Sequence, residues 1–301
     1  MPAVVNVPVD VIIVNFNAGE ALSRCLNSVL AQEVPLRVTV IDNASTDGSA
    51  EQARAKFAGR DNVRIVENEG NPGFAPAVNK AVRLAQEGGD GNNGDGYLLI
   101  LNPDCELREG ALGHLVDALA RDPSAVLAGP AVQGGSGELL RGTLRRFPDP
   151  WRSFLTVTGL WRLGHRLPGF RGVEENPGAV TETRVAEAVS GACMLVRTSS
   201  FRAAGGMDEG YRLHCEDLDL MYRLSRSGGY CVYVPAARVF HRQGLSSASR
   251  PAWVHWQKHR GMQRFFSKFQ ARDHGFLVRA LVTLGIWLRF AVTLPLALLR
   301  H

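Results

Sequence analysis

Short apolar runs that alternate with helical patterns constrain the fold of this chain more than any other feature of its sequence. The first run is VDVIIVNF at 9–16, and similar runs recur at 38–41, 63–66 and 97–101. Runs rich in β-branched and aliphatic residues predict strands buried on both faces. Helical spacing follows at 22–30, 49–57 and 75–86. Strands that alternate with helices in this way predict a parallel, doubly wound α/β sheet.

Each of these predicted strands is followed by polar side chains. The polar clusters lie at 15–17, 42–45, 71–74 and 102–104. Ligands of doubly wound sheets bind beyond the carboxyl ends of the strands. The sequence therefore predicts one binding site built from all four clusters.

Composition and charge narrow the class of protein. An apolar content of 45% in 301 residues excludes a disordered chain. Five cysteines without a C-x-x-C pair disfavour a disulfide framework or a structural zinc site and favour a reducing cytoplasm. The first ten residues have no basic, signal-like segment, so we expect no export. Residues 241–301 carry ten of the 34 Lys and Arg but one acidic residue, so this tail favours an anionic surface as a partner.

Two acidic segments are candidates for metal binding or acid–base catalysis. Asp104 follows the strand at 97–101, and it is either the N-cap of a helix that starts near Glu109 or a ligand of Mg²⁺ or Mn²⁺. The cluster Glu216-Asp217-x-Asp219 either compensates a helix dipole or supplies a general base. Because Asp217 and Asp219 are two residues apart, they point to different faces of a helix.

His241 follows a predicted strand at 230–234 and is either a surface or core histidine, or a group that contacts a metal or phosphate. Other motifs that would define an enzyme class are missing from the sequence. It contains no Walker A motif, no G-x-G-x-x-G after the first strand and no G-x-S-x-G elbow. A strand is also predicted at 185–196 and a helix at 218–225, whereas 134–184 has no clear pattern and is expected to be a functional loop or a lid.

In order along the chain, these segments resemble glycosyltransferase family 2, and most closely its rhamnosyltransferase-like branch. The matching segments are VDVIIVNFN, IDNASTDGS, NEGNPGFAPAVNKA, LLILNPDCEL, SGACMLVR, GGMDEGYRLHCEDLDLMYRL and VFHRQGLSS, which together span residues 9–247. The resemblance implies a GT-A fold, in which a Rossmann-like nucleotide-binding half (about 1–110) and an acceptor-binding half (about 111–250) share one continuous mixed sheet.

The resemblance also implies roles for individual residues. Asp42 would hydrogen-bond the nucleobase, and Asp104 and His241 would hold a Mg²⁺ or Mn²⁺ ion. Asp217 would be the catalytic base, with Glu216 beside it. The other residues implied in nucleotide-sugar binding are Asn15, Asn17, Asn43, Gly73, Phe74, Asn79 and Asn102. The usual Asp-x-Asp metal motif stands here as Asn102-Pro103-Asp104, which removes one negative charge.

The implied reaction is an inverting transfer of a sugar, with L-rhamnose from dTDP-L-rhamnose as the preferred donor. The acceptor would be a saccharide or lipid-linked saccharide in cell-surface polysaccharide synthesis. A UDP-hexose donor and a non-catalytic nucleotide-sugar-binding homologue are the alternatives. Nucleic acid is not expected as a partner, because the sequence has no recognition motif for it.

The tail, residues 251–301, is predicted to be basic, helical and amphipathic. In 276–299, Arg279, Thr283, Ile286, Arg289 and Thr293 share one helical stripe, and Leu277, Leu281, Leu284 and Leu288 share another. This pattern favours a helix that lies on the anionic inner face of the cell membrane and makes the enzyme peripheral. Packing within the chain, a homodimer contact and a transmembrane anchor are the alternatives.

Overall fold

The computed structural model describes residues 8–87, 96–242 and 250–299. Most of the glycine-rich segment 88–96, which the sequence predicts to be a surface loop, lies outside these residues, as does the segment 244–247. The strands of the described part are β1 Val9–Asn15, β2 Leu36–Asp42, β3 Val63–Glu67, β4 Tyr97–Leu101, β5 Cys105–Leu107, β6 Ala125–Gln133, β7 Leu144–Arg145, β8 Arg184–Ala186, β9 Ala188–Val189, β10 Cys193–Arg197 and β11 Tyr230–His241. Its α-helices are α1 Glu20–Leu30, α2 Ser49–Lys56, α3 Phe74–Glu87, α4 Ala111–Arg121, α5 Pro150–Thr158, α6 Thr198–Ala203, α7 Glu216–Arg226, α8 Pro251–Phe269 and α9 Phe276–Leu299.

One large mixed sheet organises the molecule. Its strand order is β3-β2-β1-β4-β10-β6-β11-β5, and β8 pairs with β11. Strands β1 to β4 run parallel in the order of a Rossmann-like half, whereas β10 runs antiparallel to both β4 and β6. The register pairs Asn15 with Asp42 at the carboxyl ends of β1 and β2. The predicted α/β architecture with a continuous mixed sheet is confirmed.

Apolar packing on both faces holds the sheet in place. On one face, α1 buries Leu22, Leu26 and Val29 against β1 and its neighbours. On the other face, α3 buries Ala77, Val78 and other small residues. Because both faces are covered, the central strands are apolar throughout, as the sequence predicts.

Three predicted elements differ from those observed. The stretch 185–196 is divided among β8, β9 and β10 instead of forming one strand, since β8 pairs with β11 and β9 with β7. The strand predicted at 230–234 continues to His241, with a register shift between Val234 and Arg238. Pro235 lies in this interval, and proline has no N–H for the ladder, which accounts for an interruption there. The helix predicted at 218–225 begins two residues earlier, at Glu216.

The helices α8 and α9 pack on each other, and α8 also packs on the sheet domain. Lys268 of α8 donates to Asp219 of α7 at 2.6 Å, and Arg264 donates to Asp208 at 2.8 Å. The Asp219 side chain is fully buried and also accepts from Arg223 at 2.5 Å. These ion pairs attach the first tail helix to the segment that leads into α7.

The apolar stripe of α9 faces outward. Thr283 and Thr293 contact Gln263 and His255 of α8, and the half-buried Arg289 lies 3.7 Å from the sulfur of Met262. The opposite stripe is exposed and consists of Leu277, Leu281, Leu284, Leu288 and Val292. The predicted amphipathic helix is therefore confirmed, with its polar side packed inward. By length and composition α9 could also cross a membrane.

Candidate active site

A polar cluster lies where β1 and β2 end. The side chain of Asn15 donates to Asp42 at 2.6 Å and to Ser49 at 2.8 Å. Both oxygens of Asp42 accept from Ser45, one from its hydroxyl and one from its backbone N–H. Asn15, Asp42 and Ser49 are nearly inaccessible to solvent, so these bonds fix the shape of the cluster.

The neighbouring loops complete this rim. Asn17 accepts from the Thr46 backbone, and Asn43 donates to the carbonyl of Gly73 at 3.2 Å. Gly73 has φ 107° and lies against the backbone of Arg212, so a side chain here would be both strained and crowded. Phe74, partly buried, begins α3 and packs against the core. The strand ends thus bring Asn15, Asn17, Asp42, Asn43 and Gly73 together, as expected from the parallel register.

Asn79 has a different environment from these residues. Its amide donates to the carbonyl of Met207 and to Glu209, both at 2.9 Å, and its oxygen accepts from the Met207 backbone. The side chain therefore ties α3 to the segment before α7. Its expected contact with a nucleotide stays a prediction.

Asp104 and His241 meet at the ends of β4 and β11. Asp104 Oδ1 lies 3.1 Å from Nε2 of His241, and Cys105 completes a group whose ligand atoms all lie within 4.8 Å of one another. The N-cap alternative for Asp104 is wrong, because Gly110 precedes α4 and Asp104 lies in the turn before β5. Asn102, half-buried, donates its backbone N–H to the carbonyl of Ala192.

The donor set of this cluster fits a divalent cation that takes oxygen and nitrogen ligands. Burial raises the pKa of the Cys105 thiol, and Asp104 raises it further, so the sulfur stays protonated and is a poor ligand. The thiol donates instead to the carbonyl of Ala192 at 3.5 Å. A carboxylate and an imidazole remain, a pair that suits Mn²⁺ or Mg²⁺ when phosphate oxygens and water complete the shell.

Glu216 and Asp217 begin α7 in opposite electrostatic environments. Burial raises the pKa of Glu216 well above its ordinary range, and the charge of Asp217 adds to this effect. Burial also acts on Asp217, but the guanidinium of Arg145, 2.6 Å away, outweighs it and lowers the pKa of Asp217. The pair therefore holds a proton on Glu216 and a negative charge on Asp217 near neutral pH. Asp219 points away from both, into its ion pairs with Arg223 and Lys268, as the spacing predicts.

The segment Gly191-Ala192 connects Asp217 with the Asp104 cluster. A Cβ on Gly191 would lie 2.6 Å from Oδ2 of Asp217, so glycine is required for this close approach. The carbonyl of the next residue, Ala192, accepts from Asn102 and Cys105 on the other side. One short turn before β10 thus separates the carboxylate of Asp217 from the cation-binding group.

The backbone that leads into Asp217 is strained and supported by α8. His214 and Cys215 have φ values of 67° and 71°, which is uncommon for residues other than glycine. A Cβ on Gly261 of α8 would lie 2.7 Å from the carbonyl of His214. Strained backbone of this kind persists where the surrounding structure over-determines it, and it is concentrated at functional sites.

Comparison with known sequences decides the family. The sequence model described as Glycosyl transferase family 2 matches residues 10–177. The chain belongs to glycosyl transferase family 2. It is 34% identical over 248 residues to an N-acetylglucosaminyl-diphospho-decaprenol L-rhamnosyltransferase of Mycobacterium tuberculosis, covering 80% of this chain and 78% of the relative. It is 27% identical over 233 residues to Rhamnosyltransferase WbbL of Escherichia coli, covering 77% and 83%. This family member is thus a glycosyltransferase of the rhamnosyltransferase-like branch.

Solved structures show the same GT-A fold. GalNAc-T7 with UDP, GalNAc and Mn²⁺ superposes with a TM-score of 0.64 at 18% identity, covering 87% of this chain and about half (48%) of that one. A mannosyltransferase of Pyrobaculum calidifontis in complex with GDP-Man and Mn²⁺ gives a TM-score of 0.57 at 19% identity and covers 96% and 72%. The expected GT-A architecture is therefore confirmed for this glycosyltransferase.

The sequence did not indicate Arg145 or Cys105 as part of the site. Arg145 lies in the stretch 134–184, where no periodicity marks its strand, and it is 72 residues from its partner Asp217. A basic residue that pairs with a carboxylate so far along the chain has no local sequence signal. Cys105 follows Asp104 directly, so proximity alone could have indicated it.

We predict that Glu216→Gln changes the pH dependence of stability. Unfolded Glu216 loses its proton near its ordinary pKa of about 4.3, whereas the folded protein keeps it. The wild type therefore loses stability as pH rises from that value through the raised pKa, and the Gln variant does not. Urea unfolding between about pH 5 and pH 8 should show the variant gaining on wild type by about 1.4 kcal/mol for each rise of one pH unit. The exposed Glu182→Gln is the control, and parallel curves for wild type and Glu216→Gln would contradict the assignment.

Proposed function

We propose that this glycosyltransferase transfers L-rhamnose from dTDP-L-rhamnose, with inversion, to a lipid-linked saccharide in cell-surface polysaccharide synthesis. The single observation that carries this proposal is the pairing of Asp217 with Arg145 at a place where only the turn Gly191-Ala192 separates Asp217 from the Asp104–His241 group. The donor and the acceptor class are supported by the activities for which the M. tuberculosis and E. coli relatives are named.

In the proposed mechanism, Asp217 is the general base. Its carboxylate takes the proton of the acceptor hydroxyl while the hydroxyl oxygen attacks the anomeric carbon of the sugar. The bond from that carbon to the nucleotide diphosphate breaks, and the diphosphate leaves from the opposite face. Arg145 keeps Asp217 ionised, and the neutral Glu216 beside it avoids a second negative charge.

Asp104 and His241 would hold Mg²⁺ or Mn²⁺, which supplies Lewis-acid stabilisation of the leaving diphosphate. Asn102 would line the same pocket from the preceding turn. Asp42 would hydrogen-bond the nucleobase, within walls formed by Asn15, Asn17 and Asn43. Gly73, Phe74 and Asn79 would lie against the remainder of the nucleotide.

The proposed location is the cytoplasmic face of the cell membrane. The leucine stripe of α9 is exposed, and the exposed Arg250 and Arg272 flank the neighbouring α8. Such a surface suits an interface between anionic headgroups and acyl chains. A homodimer through the same stripe and a transmembrane position of α9 are the alternatives.

We predict that Asp217→Asn reduces sugar transfer by about 10²- to 10⁴-fold while donor binding is retained, because the amide cannot take a proton. Single-turnover transfer and calorimetric binding of dTDP, both with Mn²⁺, are the measurements. Asp61→Asn, at an exposed position, is the matched control. Wild-type turnover in Asp217→Asn would show that another group is the base.

We predict that dTDP stabilises the protein more than UDP or GDP, and that Mg²⁺ or Mn²⁺ increases the effect. A ligand at about 100 times its dissociation constant adds about 2.7 kcal/mol to the free energy of unfolding. Thermal unfolding with each nucleotide, in wild type and Asp104→Asn, measures this. Greater stabilisation by UDP than by dTDP would favour a UDP-hexose donor. No stabilisation by any nucleotide would favour a non-catalytic homologue.

We predict that replacing Leu281, Leu284 and Leu288 together by Asn releases the protein from vesicles that contain anionic lipid. Each substitution removes an apolar side chain that would be buried in the membrane interface, and burial of one such side chain contributes about 1.5–3 kcal/mol when it is complete. Co-sedimentation with vesicles is the measurement, and Val185→Asn, an exposed apolar residue outside α9, is the control. These point changes keep α8 in place, which a deletion of 251–301 would remove. Equal sedimentation of the variant and wild type would rule out the lipid surface.

A further inference from the structure

A cavity of about 590 Å³ lies between α8 and α9, outside the proposed donor and catalytic residues. Five of its lining residues come from α8 and recur at helical spacing, so they form one face of that helix. The sixth is an indole from α9. The lining residues are Arg260, Gln263, Arg264, Ser267, Lys268 and Trp287.

The charge of this cavity is positive. Arg264 and Lys268 both donate to Asp208, and Lys268 also donates to the buried Asp219, which Arg223 already neutralises. Arg260 is exposed and forms no ion pair with any carboxylate in residues 8–87, 96–242 or 250–299. Four cations and two carboxylates therefore meet here, which leaves positive charge available to a ligand.

The polar groups of the cavity suit a phosphate. Guanidinium groups bind phosphate oxygens through paired N–H donors, and a lysine adds a compact charge. Ser267 adds a hydroxyl. Gln263 completes the polar lining, and its amide donates to the hydroxyls of Ser267 and Thr283.

The surroundings indicate that the phosphate belongs to an amphiphile. Trp287 packs against Trp256 with ring centroids 4.8 Å apart and the rings tilted by 45°, and it forms the α9 side of the cavity. One residue away in α9, Leu288 belongs to the exposed leucine stripe. An apolar chain attached to the phosphate could therefore lie along α9 without leaving the surface.

The cavity also leads toward the base. A second cavity of about 90 Å³ shares Arg260 and Arg264 with the first and is lined by Gly210, Tyr211, Arg212 and Leu213. This segment continues through His214 and Cys215 into Glu216 and Asp217. A head group attached to a phosphate at Arg260 would thus point along the segment that carries the proposed base.

We propose that the α8–α9 cavity binds the diphosphate of a polyprenyl-diphosphate-linked saccharide acceptor, with Arg260 as its unpaired cation and the prenyl chain along the leucine stripe of α9. The proposal rests on the lipid-linked acceptor proposed above. It adds a binding site for the acceptor that is separate from the donor pocket at the ends of β1 and β2.

Farnesyl diphosphate, inorganic diphosphate and farnesol are suitable probes. Binding is measured by calorimetry with saturating dTDP and Mn²⁺, which occupy the donor pocket. Arg260→Gln removes one charge at an exposed position, and Arg272→Gln, also exposed and outside the cavity lining, is the matched control. We expect Arg260→Gln to weaken farnesyl diphosphate about tenfold or more, because it loses a charged phosphate contact worth about 1.5–3 kcal/mol. Arg272→Gln should bind as wild type, and inorganic diphosphate and farnesol should each bind less tightly than farnesyl diphosphate.

In transfer assays, Arg260→Gln should raise the KM for the lipid-linked acceptor and leave kcat and the donor KM unchanged. Equal affinity of wild type and Arg260→Gln for farnesyl diphosphate would overturn the proposal. The proposal would also be overturned if phosphatidic acid in neutral vesicles bound with the same dependence on Arg260, since the cavity would then recognise a membrane headgroup. Arg260-dependent binding without sugar transfer would keep this site and reject the proposed function. Sugar transfer by Arg260→Gln with an unchanged KM for the acceptor would keep the proposed function and reject this site.

Discussion

The arrangement of α7 and α8 depends on the two ion pairs of the buried Asp219 carboxylate. This carboxylate has no contact with solvent and binds Arg223 on its own helix and Lys268 on α8. A buried charge of this kind is tolerated only when it is fully paired, and removal of one partner typically costs about 3–5 kcal/mol. The position of α8 relative to α7 is therefore tightly specified, and the first tail helix is joined to the helix that begins with Glu216 and Asp217.

Packing of α8 explains how the strained backbone before Asp217 is maintained. The consecutive left-handed residues His214 and Cys215 need outside support, and Gly261 of α8 packs directly on their backbone. On its other side, the same segment touches Gly73 through the backbone of Arg212. The segment before Asp217 is thus in contact with the loop of Gly73 on one side and with α8 of the tail on the other. This arrangement gives a physical route by which the tail positions Asp217, the proposed base.

The strand ends of the first half could be predicted from the sequence because their signals are local. The run Tyr97–Leu101 was predicted with its observed bounds, and the meeting of Asn15 with Asp42 follows from parallel register. The pairing of Arg145 with Asp217 could not be predicted, since it depends on a two-residue strand and a contact across 72 positions. The alternative roles of Asp104 were equally open in the sequence, and the position of Gly110 before α4 excludes the N-cap role.

The tail shows a different limit of sequence pattern. The two stripes of α9 were visible from their spacing, but the usual rule places the apolar stripe inward. Here α8 offers Gln263 and His255 to the threonines of α9, so the polar stripe packs and the leucines face outward. Which side is buried depends on the partner helix, and a single helical pattern carries no information about it.

The opposite protonation of Glu216 and Asp217 follows from which residue the protein pairs with a cation. Glu216 is buried and Asp217 is partly buried, and desolvation alone favours the neutral form of each. Arg145 reaches Asp217, whereas one oxygen of Glu216 has no hydrogen-bond partner among the described residues. The guanidinium of Arg145 therefore favours the negative charge on Asp217, the residue that lies against Gly191. Because a carboxylate has about four lone-pair sites, the bond from Arg145 leaves others to accept a substrate hydroxyl. The contact that keeps Asp217 ionised thus does not prevent it from acting as a base.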